Sequence, residues 1–153
     1  LAKIGKPFQF FLPSKIKNMM DLIPSSFPKK ILKTKEIYKT KYKKKVARVA
    51  LLTGCVQKEL SPQINESTIR ILNRHGVEVV VPEKIRCCGS LNHHLGKHDD
   101  AHQDFINNIN IWYDQYLKGN LDAILSNTSG CGTTMKDYGF IFKVNNHNLD
   151  YQK

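Results

Sequence analysis

Val46-Ala47-Arg48-Val49-Ala50-Leu51-Leu52-Thr53-Gly54-Cys55 is an apolar run carrying one charge, closed by a glycine and a cysteine. A run of this kind reads as a strand covered on both faces, the habit of a parallel sheet. Ser61-Pro62 follows, an N-cap residue with proline at the first helical position. The helix it opens is expected to reach about His75, with Ile64, Thr68, Ile71 and Leu72 inward and Gly76 closing it. Val77-Glu78-Val79-Val80-Val81 is a second strand, stopped by Pro82. A short helix is expected from Cys87-Cys88-Gly89 through Leu95. Asp99 or Asp100 then caps a helix in which Phe105, Ile109, Trp112 and Tyr116 form an apolar stripe, and Gly119-Asn120 ends it. Ala123–Ser126 is a third strand. A tight turn over 127–132 leads to a last helix from about Thr133 to Phe142. The alternation gives an α/β fold, a small parallel sheet with flanking helices and right-handed crossovers. Three strands are few for a free-standing parallel sheet, so the reading is of a half-molecule completed from outside the chain.

The charge is unevenly spread. Net charge is +11, but residues 1–50 carry 14 of the 24 Lys+Arg against only Asp21 and Glu36, and residues 51–153 carry 10 basic and 11 acidic groups. The basic character therefore belongs to a leader, residues 1–45, and the body, 46–143, is near neutral; 144–153 is a polar tail. Within the leader, Ile16, Met19, Met20 and Ile23 mark one face of a short helix that Pro24 and Pro28 would end. Residues 35–45, rich in lysine, read as an exposed linker. A basic leader of this kind suits an acidic partner or an anionic membrane surface. Nucleic acid is disfavoured: there is no aromatic interleaving, helix-turn-helix signal or zinc-finger spacing. No run of about 18 apolar residues is present to span a membrane, and no secretory signal is visible. The expected location is cytoplasmic, with peripheral contact on the inner face of the plasma membrane through the leader.

The chemistry lies in four cysteines. Cys55, Cys87, Cys88 and Cys131 are too sparse in 153 residues for a disulfide scaffold. Adjacent Cys87 and Cys88 do not bridge each other without strain. Each cysteine element follows a predicted strand, and the carboxyl ends of parallel strands share one sheet edge, where ligands bind. Thiols scattered through the sequence would therefore meet in space. A lone free cysteine is usually a small buried hydrophobe; four at strand ends, beside glycines, point to a redox or metal site. Four thiolates suit an iron–sulfur cluster or zinc, although the spacing Cys-x31-Cys-Cys-x42-Cys is neither a zinc-finger nor a ferredoxin run.

Thr53-Gly54-Cys55-Val56-Gln57, Ser61-Pro62 and Asn65, then Cys87-Cys88-Gly89-Ser90-Leu91-Asn92-His93-His94-Leu95-Gly96, then Thr128-Ser129-Gly130-Cys131-Gly132 with Lys136-Asp137-Tyr138-Gly139, resemble the cysteine-rich CCG domain. The resemblance covers about residues 46–143 and is strongest to the first such repeat of glycolate-oxidase-type iron–sulfur subunits, which makes the chain a fragment. It implies an electron-transfer role, carrying electrons from an FAD-containing 2-hydroxy acid dehydrogenase subunit to an acceptor. It implies a [4Fe–4S] cluster on Cys55, Cys87, Cys88 and Cys131, and FAD only in partner subunits. The fuller family pattern ends in Cys-x-x-Cys; here Thr128 stands first, which argues against disulfide reduction and brings in His94 as an alternative ligand beside three cysteines. His94, His98 and His102, four apart, otherwise read as surface residues on one helix face. The rival readings are a non-redox domain that docks flavin subunits and a zinc or free-thiol site.

Overall fold

The computed structural model describes residues 10, 13–21, 36–42 and 44–144. The elements are α1 (Ser14–Asp21), β1 (Ile37–Tyr38), β2 (Ala47–Leu52), α2 (Gln57–Leu60), α3 (Pro62–Arg74), β3 (Val77–Val80), α4 (Ser90–His94), α5 (His98–Gly119), β4 (Ala123–Ser126) and α6 (Ser129–Val144). The fold is α/β. Its four strands lie in the order β1-β3-β2-β4. β2 runs parallel to β3 on one side and to β4 on the other. Ile37 and Tyr38, in the stretch read from sequence as linker, add a short antiparallel strand outside β3, opposite Val80 and Val79. Two residues are too few to carry a strand signal in the sequence.

β2 is the centre of the molecule because it is apolar on both faces. Successive strand side chains point to opposite sides. Ala50 and Leu52 join Cys88, Ala101, Phe105, Trp112, Tyr138, Ile141 and Phe142 in one core, built on α5 and α6. Val49 and Leu51 join Val79 and Ile69 in the other, under α3. The sheet is thus covered on both faces.

Two helical stripes match their expected faces in part, with Phe105, Ile109 and Trp112 against one core and Leu72 against the other. α3 buries Pro62, Asn65 and Ile69, whereas Ile64 and Ile71 are exposed. α5 buries Phe105, Asn108, Trp112 and Gln115, and Tyr116 faces solvent. The cause is the same in both. Buried carboxamides with full hydrogen bonding take core positions that an apolar count assigns to their neighbours. α6 begins at Ser129 rather than at Thr133, so Cys131 sits in its first turn and not in a preceding loop. Of the leader, α1 is present and Ile16 is exposed. The side chains of Met19 and Met20, together with Ile23, Pro24, Pro28 and the tail beyond Val144, lie outside the described residues. Among the described residues no helix is long and apolar enough to cross a membrane.

The single charge of the first strand has a structural use. The Arg48 side chain is 8% exposed. Its Nε donates to Glu78 Oε1 at 3.1 Å. One terminal nitrogen donates to the carbonyls of Gln115 (2.7 Å) and Asn120 (3.2 Å), the other to Gln115 Oε1 at 2.8 Å. The backbone closes the same joint: Arg48 N–H donates to Asp122 Oδ2, and Asp122 N–H to the Arg48 carbonyl. The guanidinium fork thereby ties β2, β3 and the carboxyl end of α5 together and satisfies helix-end carbonyls that would otherwise lack donors. Replacing Arg48 with alanine takes the donor from the Gln115 and Asn120 carbonyls and from Gln115 Oε1 and leaves Glu78 only Lys45, 3.9 Å away, and a loss of about 3–5 kcal/mol in unfolding free energy is expected. Urea unfolding followed by circular dichroism checks it; a loss below about 1 kcal/mol, the level of an exposed pair, refutes the clamp.

Candidate functional site

Three strand ends deliver the cysteines to one edge. Cys55 lies in the turn between β2 and α2, Cys87 and Cys88 in the segment between β3 and α4, and Cys131 in the first turn of α6, just after β4. The four sulfurs stand as two pairs. Cys55 Sγ is 3.5 Å from Cys87 Sγ, and Cys88 Sγ donates to Cys131 Sγ at 3.2 Å. The adjacent Cys87 and Cys88 thus make their close sulfur contacts with different partners, although the Cys87 side chain also acts on Cys88. All four are free; Cys55 is exposed, Cys87 and Cys131 are half-buried, and Cys88 is buried.

The Cys87-Cys88-Gly89 turn is held by groups from two helices. Asn108, wholly buried, accepts the Arg86 N–H at 2.9 Å and donates to the Cys87 carbonyl at 2.9 Å. The Tyr138 hydroxyl donates to the Cys88 carbonyl at 2.9 Å. Gly89 has φ +73°, and a Cβ there would overlap Phe105 Cε1 and lie 2.9 Å from Phe105 Cδ1. Only a residue without a side chain allows the backbone this close to the Phe105 ring. Phe105 in turn packs at 4.3 Å between ring centroids on Tyr138, which lies 6.4 Å from Trp112 in a stacked arrangement.

Burial governs the electrostatics. It pushes the Cys88 thiol up to about 11, helped by the neighbouring Cys131 and opposed by the Ser90 backbone N–H. Burial, then Cys87, raises Cys55. Tyr138 is also raised, chiefly by burial. The Cys55 and Cys88 thiols therefore hold their protons at neutral pH, and a bound cation would have to displace them.

The family model for the cysteine-rich CCG domain matches residues 49–136. The chain belongs to the CCG cysteine-rich domain family. It is 32% identical over 143 residues to the glycolate oxidase iron–sulfur subunit of Escherichia coli, covering 94% of this chain and 32% of that protein. It is 25% identical over 132 residues to a probable glycolate oxidase iron–sulfur subunit of Bacillus subtilis, covering 86% and 29%. It is 32% identical over 93 residues to a fumarate reductase (CoM/CoB) subunit of Methanothermobacter marburgensis, covering 60% and 18%. The chain spans about a third or less of the length of these relatives. No solved structure matches it significantly.

In this CCG domain the position before Cys131 in the fuller pattern belongs to a network of amides. Thr128 Oγ1 donates to Gln57 Oε1 at 2.8 Å. Gln57 Nε2 donates to Asn65 Oδ1 at 3.0 Å and to Asn127 Oδ1. Asn127 Nδ2 donates to Asn65 Oδ1 and Thr68 Oγ1, and Asn65 Nδ2 to the Thr53 carbonyl. Threonine thus serves as a hydrogen-bonding strut between the ends of β2 and β4. The sequence reading left Asn108 and Asn127 out and gave Gln57 and Asn65 no role beyond the motif. The available signal was the apolar stripe of α5, where Asn108 sits at a core spacing between Phe105 and Trp112.

The histidines are divided. α4 ends at His94 and α5 starts at His98, so His94, His98 and His102 do not share one continuous helix. His102 is buried against Phe105 and Phe142, not at the surface. His94 is exposed, with its ring centroid 5.8 Å from that of His93. Among the described residues, no group of three or more His, Cys, Asp or Glu side chains forms a ready metal cage. The CCG domain instead offers two dithiols. In kind and number, four unbridged thiols on one edge fit a thiolate-held group; a common centre requires the two pairs to be drawn together.

Gly89→Ala is expected to destabilise the CCG domain by about 2–5 kcal/mol, combining left-handed strain with overpacking on Phe105. Chemical denaturation measures it, and an unchanged midpoint would show that Phe105 moves aside freely. For Cys88 the folded value lies above the ordinary 9.0. Its contribution to stability is thus complete below pH 9 and is lost as pH rises toward about 11. Urea unfolding of the reduced protein between pH 8 and pH 11 should show a fall that Cys88→Ala makes shallower; parallel curves for the two proteins would contradict it.

Proposed function

We propose that this CCG domain is an electron-transfer module of a glycolate-oxidase-type iron–sulfur protein, holding a [4Fe–4S] cluster through Cys55, Cys87, Cys88 and Cys131. In this reading it passes electrons from an FAD-containing 2-hydroxy acid dehydrogenase subunit to an acceptor. The observation that carries the reading is the gathering of four free thiols from three strand ends onto one sheet edge, with Cys55 at the surface. Relatives whose names describe iron–sulfur subunits of glycolate oxidase support it. When bound, the group supplies one-electron transfer at a potential set by charge, hydrogen bonds and exposure.

The chain's own residues have definite tasks in this scheme. Asn108 and Tyr138 hold the two carbonyls between which the adjacent thiols diverge, and so set the aim of both sulfurs. The Ser90 N–H favours the thiolate form of Cys88, opposing the burial that disfavours it. Phe105, Trp112 and Tyr138 keep water from the inner side of the site. Val56 beside Cys55, and Leu91 and Leu95 in and just after α4, are exposed apolar residues that an electron partner would cover on approach.

Those exposed apolar residues also favour a second reading, a docking module for flavin subunits whose thiols stay reduced or hold zinc. Iron and sulfide analysis of anaerobically purified or reconstituted protein, with absorbance near roughly 400 nm, separates the two. The first reading expects iron and sulfide bound in the wild type, lost in Cys88→Ser with the fold intact, and retained in His94→Ala. Loss in His94→Ala would make His94 a ligand beside three cysteines. Colourless, iron-free wild type with four free thiols would sink the cluster.

A further inference from the structure

The pairing of the sulfurs carries a consequence for the domain when no metal or cluster is bound. We propose that the metal-free thiol centre is a modification site for low-molecular-weight disulfides, closing as Cys55–Cys87 and then as Cys88–Cys131.

Distance selects the partners. The sulfurs lie 3.5 Å apart in one pair and 3.2 Å in the other. Each pair has only about 1–1.5 Å to close to reach a disulfide bond of about 2.05 Å. Bridging Cys87 to Cys88 would strain two adjacent residues. Exchanging partners would require the turn to rotate. Asn108 on the Cys87 carbonyl, Tyr138 on the Cys88 carbonyl and Phe105 beneath Gly89 oppose that rotation.

Access selects the order. Cys55 is exposed and its partner Cys87 is half-buried. Cys88 is 4% exposed, inside the core cluster with Phe105 and Tyr138. A disulfide oxidant such as oxidised glutathione therefore meets Cys55 first. At mildly alkaline pH the fraction of Cys55 that has lost its proton attacks one sulfur of the oxidant, forming a mixed disulfide and expelling one thiolate, which takes up a proton. Cys87, as thiolate, attacks Cys55 Sγ and expels the second. One S–S bond breaks and one forms. The two protons leave the cysteines and end on the two released thiols. The oxidant takes up two electrons, and reduced thiol in excess reverses the sequence. Closure of the first pair withdraws two donors together, so an oxidised domain cannot be loaded with a group that needs four thiolates. This last consequence rests on the proposed cluster; the pairing does not.

The test uses the 153-residue chain, metal-free and fully reduced, titrated anaerobically with oxidised glutathione. Samples are acid-quenched, alkylated and digested. Fragmentation between Cys87 and Cys88 assigns the bonds, because both lie in the peptide that follows Arg86. Limiting oxidant should give Cys55–Cys87 with Cys88 and Cys131 alkylated. Excess should add Cys88–Cys131, and dithiothreitol should restore four thiols. Cys55–Cys88, Cys87–Cys131 or Cys87–Cys88 as the main product overturns the proposal, as does prior closure of Cys88–Cys131 or a stable glutathione adduct on Cys55. In parallel, the singly oxidised chain should take up about tenfold less iron than the reduced chain, as expected when ligands are withdrawn. Equal uptake of iron overturns the loading block. No uptake by either form, with the expected disulfides, counts against the cluster and leaves the pairing standing.

Discussion

Contact between a bare backbone and an aromatic ring decides where the sulfurs of this domain lie. Gly89 rests on Phe105, which is itself wholly buried. The turn before it cannot lift away without opening the core that Phe105 shares with Tyr138, Trp112 and Phe142. The placement of Cys87 and Cys88 is thereby linked to the same cohesion that holds α5 and α6 on the sheet. Site geometry and fold stability are one property here, not two. The hydrogen bonds from Asn108 and Tyr138 refine the position, and both donors come from helices that the core already fixes.

A second theme is the use of polar side chains as internal joints. Arg48, Gln115 and Glu78 tie the amino-terminal part of β2 to the end of α5, and Glu36 accepts from Gln115 at 3.1 Å. At the other end of β2, Gln57, Asn65, Asn127 and Thr128 connect strand ends to helices. Buried polar groups are costly unless paired, and these are paired with one another or with backbone. The apolar core supplies cohesion, and the two polar joints specify how the strand ends meet the helices that flank them.

This division explains what could be read from the sequence. β2 was legible in Val46–Leu52 because burial on both faces demands an unbroken apolar run, and Val77–Val81 and Ala123–Ser126 were legible as short apolar runs between turn residues, although the first half of β4 is exposed. The sheet-edge rule then led from three strand ends to one candidate site. Phe105, Ile109, Trp112 and Leu72 were read correctly as inward, but Ile64, Ile71 and Tyr116 were not, because Asn65, Asn108 and Gln115 look like surface residues until their partners, distant in sequence, are known. β1 was invisible for a different reason: two residues carry no period, and only the exposed edge of β3 gives them a place. The arrangement of the thiols as two pairs follows from side-chain directions around the Gly89 turn, which spacing alone does not encode. The histidine series failed where Leu95, Gly96 and Lys97 separate two helices that the four-residue spacing had joined.

The antiparallel direction of β1 has an electrostatic result. Tyr38 pairs with Val79 and the chain then runs along β3 toward its amino-terminal end, where Thr40 Oγ1 donates to the Asn73 carbonyl and Val46 N–H to the Gly76 carbonyl. Lys39, Lys41, Lys44 and Lys45 therefore crowd the edge opposite the cysteines. The length of β2, Ala47–Leu52, separates the two edges by about 20 Å, more than twice the screening length of about 8 Å at physiological ionic strength. The molecule has a cationic pole and a thiol pole that do not sense each other. An anionic body drawn to the lysines would arrive facing away from the sulfurs, where the exposed charge next to Cys87 is that of Arg86, held 3.9 Å from Asp104.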